Sequence, residues 1–379
     1  MKKILYVTGS RAEYGIMKRL LIALKNDPDI QLTLVATGMH CDEKFGLTYK
    51  NIKDDGFVID KLIDIELSTS NNQKILKSMA ICLDKFGQYF EDNHFDAVMI
   101  LGDRYEIFSV AIAAAMHNLP IIHLHGGEKT LGNYDEFIRH SITKMSKLHL
   151  ASTDIHKKRI IQLGECPTSV FNIGALGAEN SLLMQLPEKE TLERTFGSLS
   201  KPYFMVVFHP ETLTKTSPSQ QVTELLNALS ELTNKYDFIF IGSNSDTGAE
   251  KITEKIIAFC EENKSRFIKS TKPEEYLALN KYSEGLIGNS SSGLIEIPSL
   301  NIPTINIGDR QKGRVRGNSV IDCDCLKESI KNAITFSQKN KKNIDYNNPY
   351  LNGKVLPLAL KQIKLFLNNQ NSIKDFYDL

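Results

Sequence analysis

The chain has no surplus of either charge. In 379 residues, 46 basic side chains stand against 45 acidic ones, a net charge of +1. That balance offers no basic face for nucleic acid, whose binding rests on phosphate neutralisation. It also has no apolar run near the ~20 residues that span a membrane; the longest lies around "VAIAAAM", Val110–Met116. The opening "MKKILYVTGS" has two lysines and then a short apolar stretch, which reads as a first strand rather than a secretory leader. The six cysteines lack a zinc pattern. Only Cys323 and Cys325 are close, and C-x-C without a second cluster does not make a site. They read as reduced thiols of a cytoplasmic protein. The dinucleotide fingerprint G-x-G-x-x-G is missing after the first strand.

The composition is otherwise ordinary for a globular protein, 41% hydrophobic and 24% charged, in a chain long enough for two domains. Short apolar runs recur at Ile4–Val7, Leu32–Ala36, Ala97–Leu101, Ile121–Leu124, Leu148–Ala151 and Val170–Ile173. Amphipathic stretches such as "GIMKRLLIALKN" and "NQKILKSMAICLDKFGQYFEDN" lie between them. This alternation predicts βαβ units and a parallel sheet. The text turns polar from Leu186 to Lys201, a helix and linker, and the alternation then resumes through "YFMVVFHPE", "FIFIGSN", "RFIKS", "GLIGNSSS" and "PTINIG". The expected fold is α/β, with two Rossmann-like doubly wound domains, 1–180 and 181–354. The last helix, within 355–379, is assigned to the first domain. "KNKKNIDYNNPY" near residue 340 reads as a surface loop. Ligands of such sheets bind beyond the strand C-terminal ends, so residues there are the candidates.

In "GLIGNSSSGLIE", three serines and a glycine separate a strand from a helix starting near Ser292 or Gly293. Hydroxyls and free N–H groups at a helix start suit an anion; a simple helix cap explains one serine equally well. Glu296, a turn inside that helix, suits a sugar diol, so the stretch suggests a nucleotide, or else a capped helix with a solvated Glu. In "GDRQKGRVRG" the cations Arg310, Lys312, Arg314 and Arg316 alternate, and an extended loop would send them to one side. Arg310, first after the strand, is the ligand candidate; Arg314 and Arg316 read as solvated. Arg11 sits where the first strand opens into the cleft, and His209 ends the first strand of the second domain. Asp103, at an apolar strand terminus in "VMILGDRYE", should be partly desolvated, which raises a carboxylate pKa; it could instead cap the helix starting at Tyr105. "NYDEFIRH" sets Asp135 at a helix start, where it could also be a cap. His123 and His125 in "IIHLHGGE" alternate onto one face, but no third ligand is spaced to support a metal.

Taken together, "TGSRAEYG", "LGDRYE", "HGGEKTLGNYDEFIRHSITK", "FHPET", "GNSSSG" and "GDRQKGR" resemble the UDP-N-acetylglucosamine 2-epimerases, in particular the hydrolysing branch of bacterial sialic acid synthesis. The resemblance covers nearly the whole chain. It implies the glycosyltransferase-B type fold, with the last helix crossing back to the first domain. It also implies conversion of UDP-N-acetylglucosamine and water to N-acetylmannosamine and UDP, without metal or redox cofactor, by a homodimer or homotetramer. By the same resemblance Arg11, Ser290, Ser291, Glu296 and Arg310 hold the nucleotide, Arg104 and Asn244 line the cleft, and Asp103 and Asp135 are the catalytic acids, with His209 in the cleft. At one position the chain departs from the pattern: many relatives carry glutamate in a motif HIEGGE where "HLHGGE" has His125, a residue that moves protons near neutral pH. Three other readings stay open at this level. They are a hydrolysing epimerase for a UDP-2,4-diacetamido-6-deoxy sugar, a glycosyltransferase of the same two-domain type, and a non-catalytic nucleotide-sugar sensor.

Overall fold

The computed structural model describes residues 1–131, 134–211, 214, 216–242, 248–369 and 373–379. Seven strands form the first sheet: β1 (Lys2–Thr8), β2 (Ile30–Thr37), β3 (Lys61–Ile63), β4 (Ala97–Leu101), β5 (Ile121–Leu124), β6 (Leu148–Ala151) and β7 (Val170–Asn172). Their order is β3-β2-β1-β4-β5-β6-β7, all parallel. The second sheet has β8 (Tyr203–Val207), β9 (Asp237–Ile241), β10 (Arg266–Ile268), β11 (Leu286–Gly288), β12 (Thr304–Ile307) and β13 (Val320–Cys323). It runs β10-β9-β8-β11-β12-β13, again parallel. Both sheets reverse their winding at one point, between β1 and β4 and between β8 and β11, which is where such sheets open a crevice. This is the expected architecture, two doubly wound α/β units.

Strands β4, β8 and β11 at the middle of the sheets have no charged or hydrogen-bonding side chain on either core-facing side except the Tyr203 hydroxyl, because helices cover both faces. Ile4 and Tyr6 point into one core with Met99, Ile122 and helix Arg11–Lys25; Leu5 and Val7 point into the other with Val98, Ile100 and helices Asn72–Asp92 and Tyr105–Met116. In the second sheet Phe204, Val206, Phe238 and Phe240 fill one face, and Tyr203, Met205 and Ile239 fill the other. Backbones approach closely at the second switch point. A Cβ on Gly288 would lie 1.9 Å from the Val207 carbonyl oxygen, so only glycine fits there.

Two strands went unread in the sequence, β3 and β13. Both are edge strands with one neighbour each, so a mixed-polarity stretch such as Val320–Cys323 suffices. The "surface loop" near residue 340 is also only partly one. Tyr350 is fully buried and donates to the Val315 carbonyl at 2.8 Å, and Asn348 donates to Ile295 O at 2.8 Å. All six cysteines are unpaired. Among the described residues no helix is long and apolar enough to cross a membrane.

Helix Val355–Asn368 crosses back to the first sheet, burying Val355, Ala359, Ile363 and Leu367 against Tyr6, Leu24 and Leu150. The four-residue spacing makes one apolar stripe, and each large aliphatic so buried is worth about 1.5–3 kcal/mol. Its first turn is held by Glu179, whose oxygens accept from Val355 N (2.8 Å) and Leu356 N (3.2 Å) and pair with Arg19 at 2.9 Å. A carboxylate there satisfies two orphan amides at the positive end of the helix. Replacing it (Glu179→Ala) leaves both amides and the arginine unmatched. The expected loss is about 3 kcal/mol, read as a melting temperature lower by at least about 3 °C. An unchanged melting temperature would contradict the tether.

Candidate active site

The C-terminal ends of the two sheets face one another, and the loops leaving them line one cleft. Arg11 follows β1, Asp103 and Arg104 follow β4, His125 and Glu128 follow β5, His209 follows β8, Ser290 and Ser291 follow β11, and Arg310 follows β12; Asp135 and Glu296 complete the lining. Ten of the eleven residues read from the sequence as catalytic or substrate-binding thus share one cavity. The eleventh, Asn244, lies outside the described residues.

The first loop is shaped by reciprocal capping. Ser10 Oγ accepts from Glu13 N at 3.4 Å, and Glu13 Oε2 accepts from Gly9 N at 2.8 Å and from Ser10 Oγ at 3.2 Å. Arg11 is released toward the cleft, where Nη1 reaches Ser270 Oγ of the opposite half at 3.2 Å. Beneath the loop lies a second buried carboxyl, Glu106, which accepts from Arg104 Nε at 2.5 Å. Burial, then the charge of Glu106, pushes the Glu13 carboxyl up to about 8. Neither carboxyl stood out in the sequence.

His209 is 4% exposed and anchored through its backbone: its N–H donates to Asn289 Oδ1 at 2.7 Å, and Asn289 Nδ2 donates to its carbonyl at 2.8 Å. Burial first, then Arg310, Arg104 and Arg11, holds its imidazole well below the ordinary histidine value. A neutral histidine therefore sits among three guanidiniums from three different loops, an arrangement that favours a polyanion.

Facing them is an acidic group organised by Arg139, which has no exposure. Its Nε donates to Asp103 Oδ2 at 2.7 Å, Nη1 to Glu136 Oε2 at 3.0 Å and to Glu128 O at 2.7 Å, and Nη2 to Thr130 Oγ1 at 2.6 Å. Asp103 is partly buried, as expected of a strand end, and it is paired there with Arg139. It is not a cap: the residue flanking helix Tyr105–Met116 is Arg104, with no side-chain capping bond. Asp135 opens helix Asp135–Met145, which likewise has no side-chain cap at Tyr134.

The two histidines of "IIHLHGGE" part company. His123 is inside the sheet, Nε2 2.8 Å from Gly102 O, and burial draws its imidazole down to about 3. His125 has left the strand with a left-handed backbone, φ 63°, so the assumed alternation does not extend to it. Its Nδ1 lies 3.2 Å from Glu128 Oε1. Among the described residues no cluster of three or more His, Cys, Asp or Glu could hold a metal ion.

The serine stretch is tighter than expected. The helix is a single turn, Ser292–Ile295, passing into a 3-10 turn at Glu296, because Pro298 has no N–H to continue it. Glu296 therefore stands at a break, not a turn inside a helix, and burial pushes its carboxyl upward. The basic segment is not an extended loop. Residues 309–313 turn back on themselves, with Lys312 N on Asp309 O at 2.9 Å. Arg310 is 8% exposed, with Nη1 3.3 Å from Asn289 O. Arg314 is not solvated: it pairs with the buried Glu128 across the cleft. Arg316 stays partly exposed and pairs with the exposed Asp322 six residues on. Tertiary pairing, invisible in the local text, decides Arg314.

A family model described as UDP-N-acetylglucosamine 2-epimerase matches residues 22–364. The chain belongs to the UDP-N-acetylglucosamine 2-epimerase family. It is 60% identical to the polysialic acid biosynthesis protein P7 of Escherichia coli, over all of this chain and 98% of that one. It is 41% identical to the hydrolysing GDP/UDP-N,N'-diacetylbacillosamine 2-epimerase of Campylobacter jejuni, over 85% of this chain and 84% of that one. In fold it is similar to the Methanocaldococcus jannaschii UDP-GlcNAc 2-epimerase solved with UDP-GlcNAc and UDP, at a TM-score of 0.82 and 19% identity, covering 96% of this chain and all of the other. The two-sheet arrangement is that of glycosyltransferase-B type folds.

Glu136 joins this family site to its stability. Burial opposes its charge, but His140, Thr130 N and Arg139 lower its carboxyl from the ordinary 4.5 to about 2. A depressed folded value means stability that is present above the ordinary value and lost as pH falls toward the folded one. Glu136→Gln is therefore expected to melt lower than the parent at pH near 6. The gap should narrow between pH 4.5 and about 2, measured by thermal denaturation across pH. A gap independent of pH would exclude the ion pair as its source.

Proposed function

We propose that the protein is a hydrolysing UDP-N-acetylglucosamine 2-epimerase that makes N-acetylmannosamine and UDP for sialic acid synthesis. The observation that carries this reading is the division of the cleft, with Arg11, Arg104 and Arg310 around a neutral His209 on one side and Asp103 and Asp135 on the other. Full-length identity of 60% to a polysialic acid biosynthesis protein supports the pathway, and hydrolysing relatives support the use of water. The same reading takes the enzyme as cytoplasmic and as a homodimer or homotetramer.

In this reading Arg11, Arg310, Ser290 and Ser291 hold the diphosphate, Glu296 the ribose, and Arg104 and Asn244 line the nucleotide side. The C2 proton of the sugar is weakly acidic until the C1–O bond to UDP begins to break. Positive charge then grows at C1, the C2 proton leaves, its electron pair forms the C1–C2 double bond, and the C1–O pair departs with UDP. Water adds at C1 of the resulting 2-acetamidoglucal while a proton returns to C2 on the opposite face. The guanidiniums stabilise the departing diphosphate. Asp103, His125 and Asp135 carry the proton transfers, each worth about 10²–10⁴-fold.

Turnover of UDP-N-acetylglucosamine in deuterated water should yield free N-acetylmannosamine carrying deuterium at C2, read by NMR. Protium at C2 would contradict elimination, and N-acetylglucosamine as the product would make the protein a simple sugar-nucleotide hydrolase. Preference for UDP-N,N'-diacetylbacillosamine would move it to the specificity of its Campylobacter relative. Arg310→Ala removes a charged donor to the diphosphate and should weaken UDP binding roughly 10–100-fold by calorimetry. Unchanged affinity would remove Arg310 from the anion site.

A further inference from the structure

His125 occupies an unusual position. Its φ of 63° is a left-handed conformation that a side-chain-bearing residue holds only at a cost in backbone strain. Its N–H is pinned to Leu150 O at 3.0 Å, and the ring is nearly buried in the cleft wall. Of its two ring nitrogens, Nδ1 faces Glu128 Oε1 at 3.2 Å, while Nε2 is buried with no hydrogen-bond partner among the described residues.

Glu128 is itself 1% exposed and heavily held. Ser152 Oγ donates to Oε1 at 3.1 Å, and Arg314 of the opposite half pairs with Oε2. Its backbone has little freedom, because Gly127 before it presses on helix Asp154–Gln162, where a Cβ would come 2.4 Å from His156 O. Burial opposes its charge, but Arg314 and then His125 keep its carboxyl well below the usual carboxylate range. An ionised carboxylate can only accept hydrogen bonds, so the proton between the two residues sits on Nδ1 and the lone pair of the neutral ring sits on Nε2.

We propose that Glu128 is a positioning residue that fixes His125 in the Nδ1–H tautomer and presents Nε2 to the cleft as a proton acceptor, with Arg314 completing the assembly from the opposite half. This rests on the proposed epimerase reading for its catalytic meaning, but the tautomer itself does not. The logic is that of a carboxylate orienting a histidine base: the anion sets which nitrogen is free and stabilises the imidazolium once a proton arrives.

Two measurements test it. In nitrogen-15 histidine-labelled protein, with the His125 signals assigned by their loss in His125→Ala, the neutral ring should carry its proton on Nδ1 and none on Nε2. A neutral ring protonated on Nε2 overturns the inference whether or not the protein turns over any sugar. In kinetics with UDP-N-acetylglucosamine, Glu128→Gln should lower kcat about 100-fold with KM within about 3-fold. In a His125→Ala background the same change should alter kcat by less than about 3-fold, because it acts only through the histidine. Equal losses in both backgrounds would make Glu128 a structural residue and overturn the inference. If the unaltered protein forms no N-acetylmannosamine, the proposed function falls, and the tautomer measurement decides the present point by itself.

Discussion

The cleft depends on one buried cation. Arg139 has no contact with solvent, yet its guanidinium joins the end of β4 through Asp103, the loop after β5 through the Glu128 carbonyl and Thr130, and its own helix through Glu136. A charge taken out of water is tolerated only with such complete compensation, and burial is outweighed by Asp103 and Glu128, which drive the Arg139 value upward. The geometry of the carboxylate side follows. Asp103 cannot swing away without stranding the arginine, and Glu128 is carried on a backbone tied to the same group. Site rigidity is obtained from a network that contributes more to placement than to net stability.

The opposite wall gathers like charges, each held by its own partner: Arg104 by Glu106, Arg11 by Ser270 and Arg310 by the Asn289 carbonyl. Arg11, Arg104 and Arg310 come from three loops, two in the first half and one in the second, and their summed charge helps to keep His209 neutral. A polyanion entering there meets donors already in place and needs no reorganisation of the wall, which is how preorganised charge lowers a barrier. Contacts such as Arg11 with Ser270 and Arg314 with Glu128 run between the halves, so the relative placement of the two sheets is part of the site.

Much of this was legible in the text. Six strands of the first sheet and five of the second announced themselves as apolar runs, because central parallel strands are covered on both faces and have no reason to alternate. The edge strands β3 and β13 did not, whereas the opposite edges β7 and β10 did: a strand with one neighbour is free to carry polar residues but is not obliged to. The cleft residues were legible for a related reason: a polar or charged residue immediately after a buried strand is forced to the C-terminal edge of the sheet. Asp103, His125, His209, Ser290 and Arg310 all follow that rule.

Arg314 did not follow it. Its local text reads as a solvated basic loop, and only the packing of one half on the other brings it to Glu128. The same holds for Asp103, whose partner lies 36 residues away, and for His125, whose left-handed backbone breaks the alternation that a strand would impose. Hydrophobic periodicity and the position of residues relative to strand ends are local properties, so the sequence by itself determined the fold class, the two-sheet plan and those cleft residues that sit at strand ends. Charge pairing, burial and the direction in which a ring nitrogen points depend on segments far apart in the chain. Those were decided by the tertiary structure, because a buried charge or lone pair takes its character from whatever lies within a few ångströms of it.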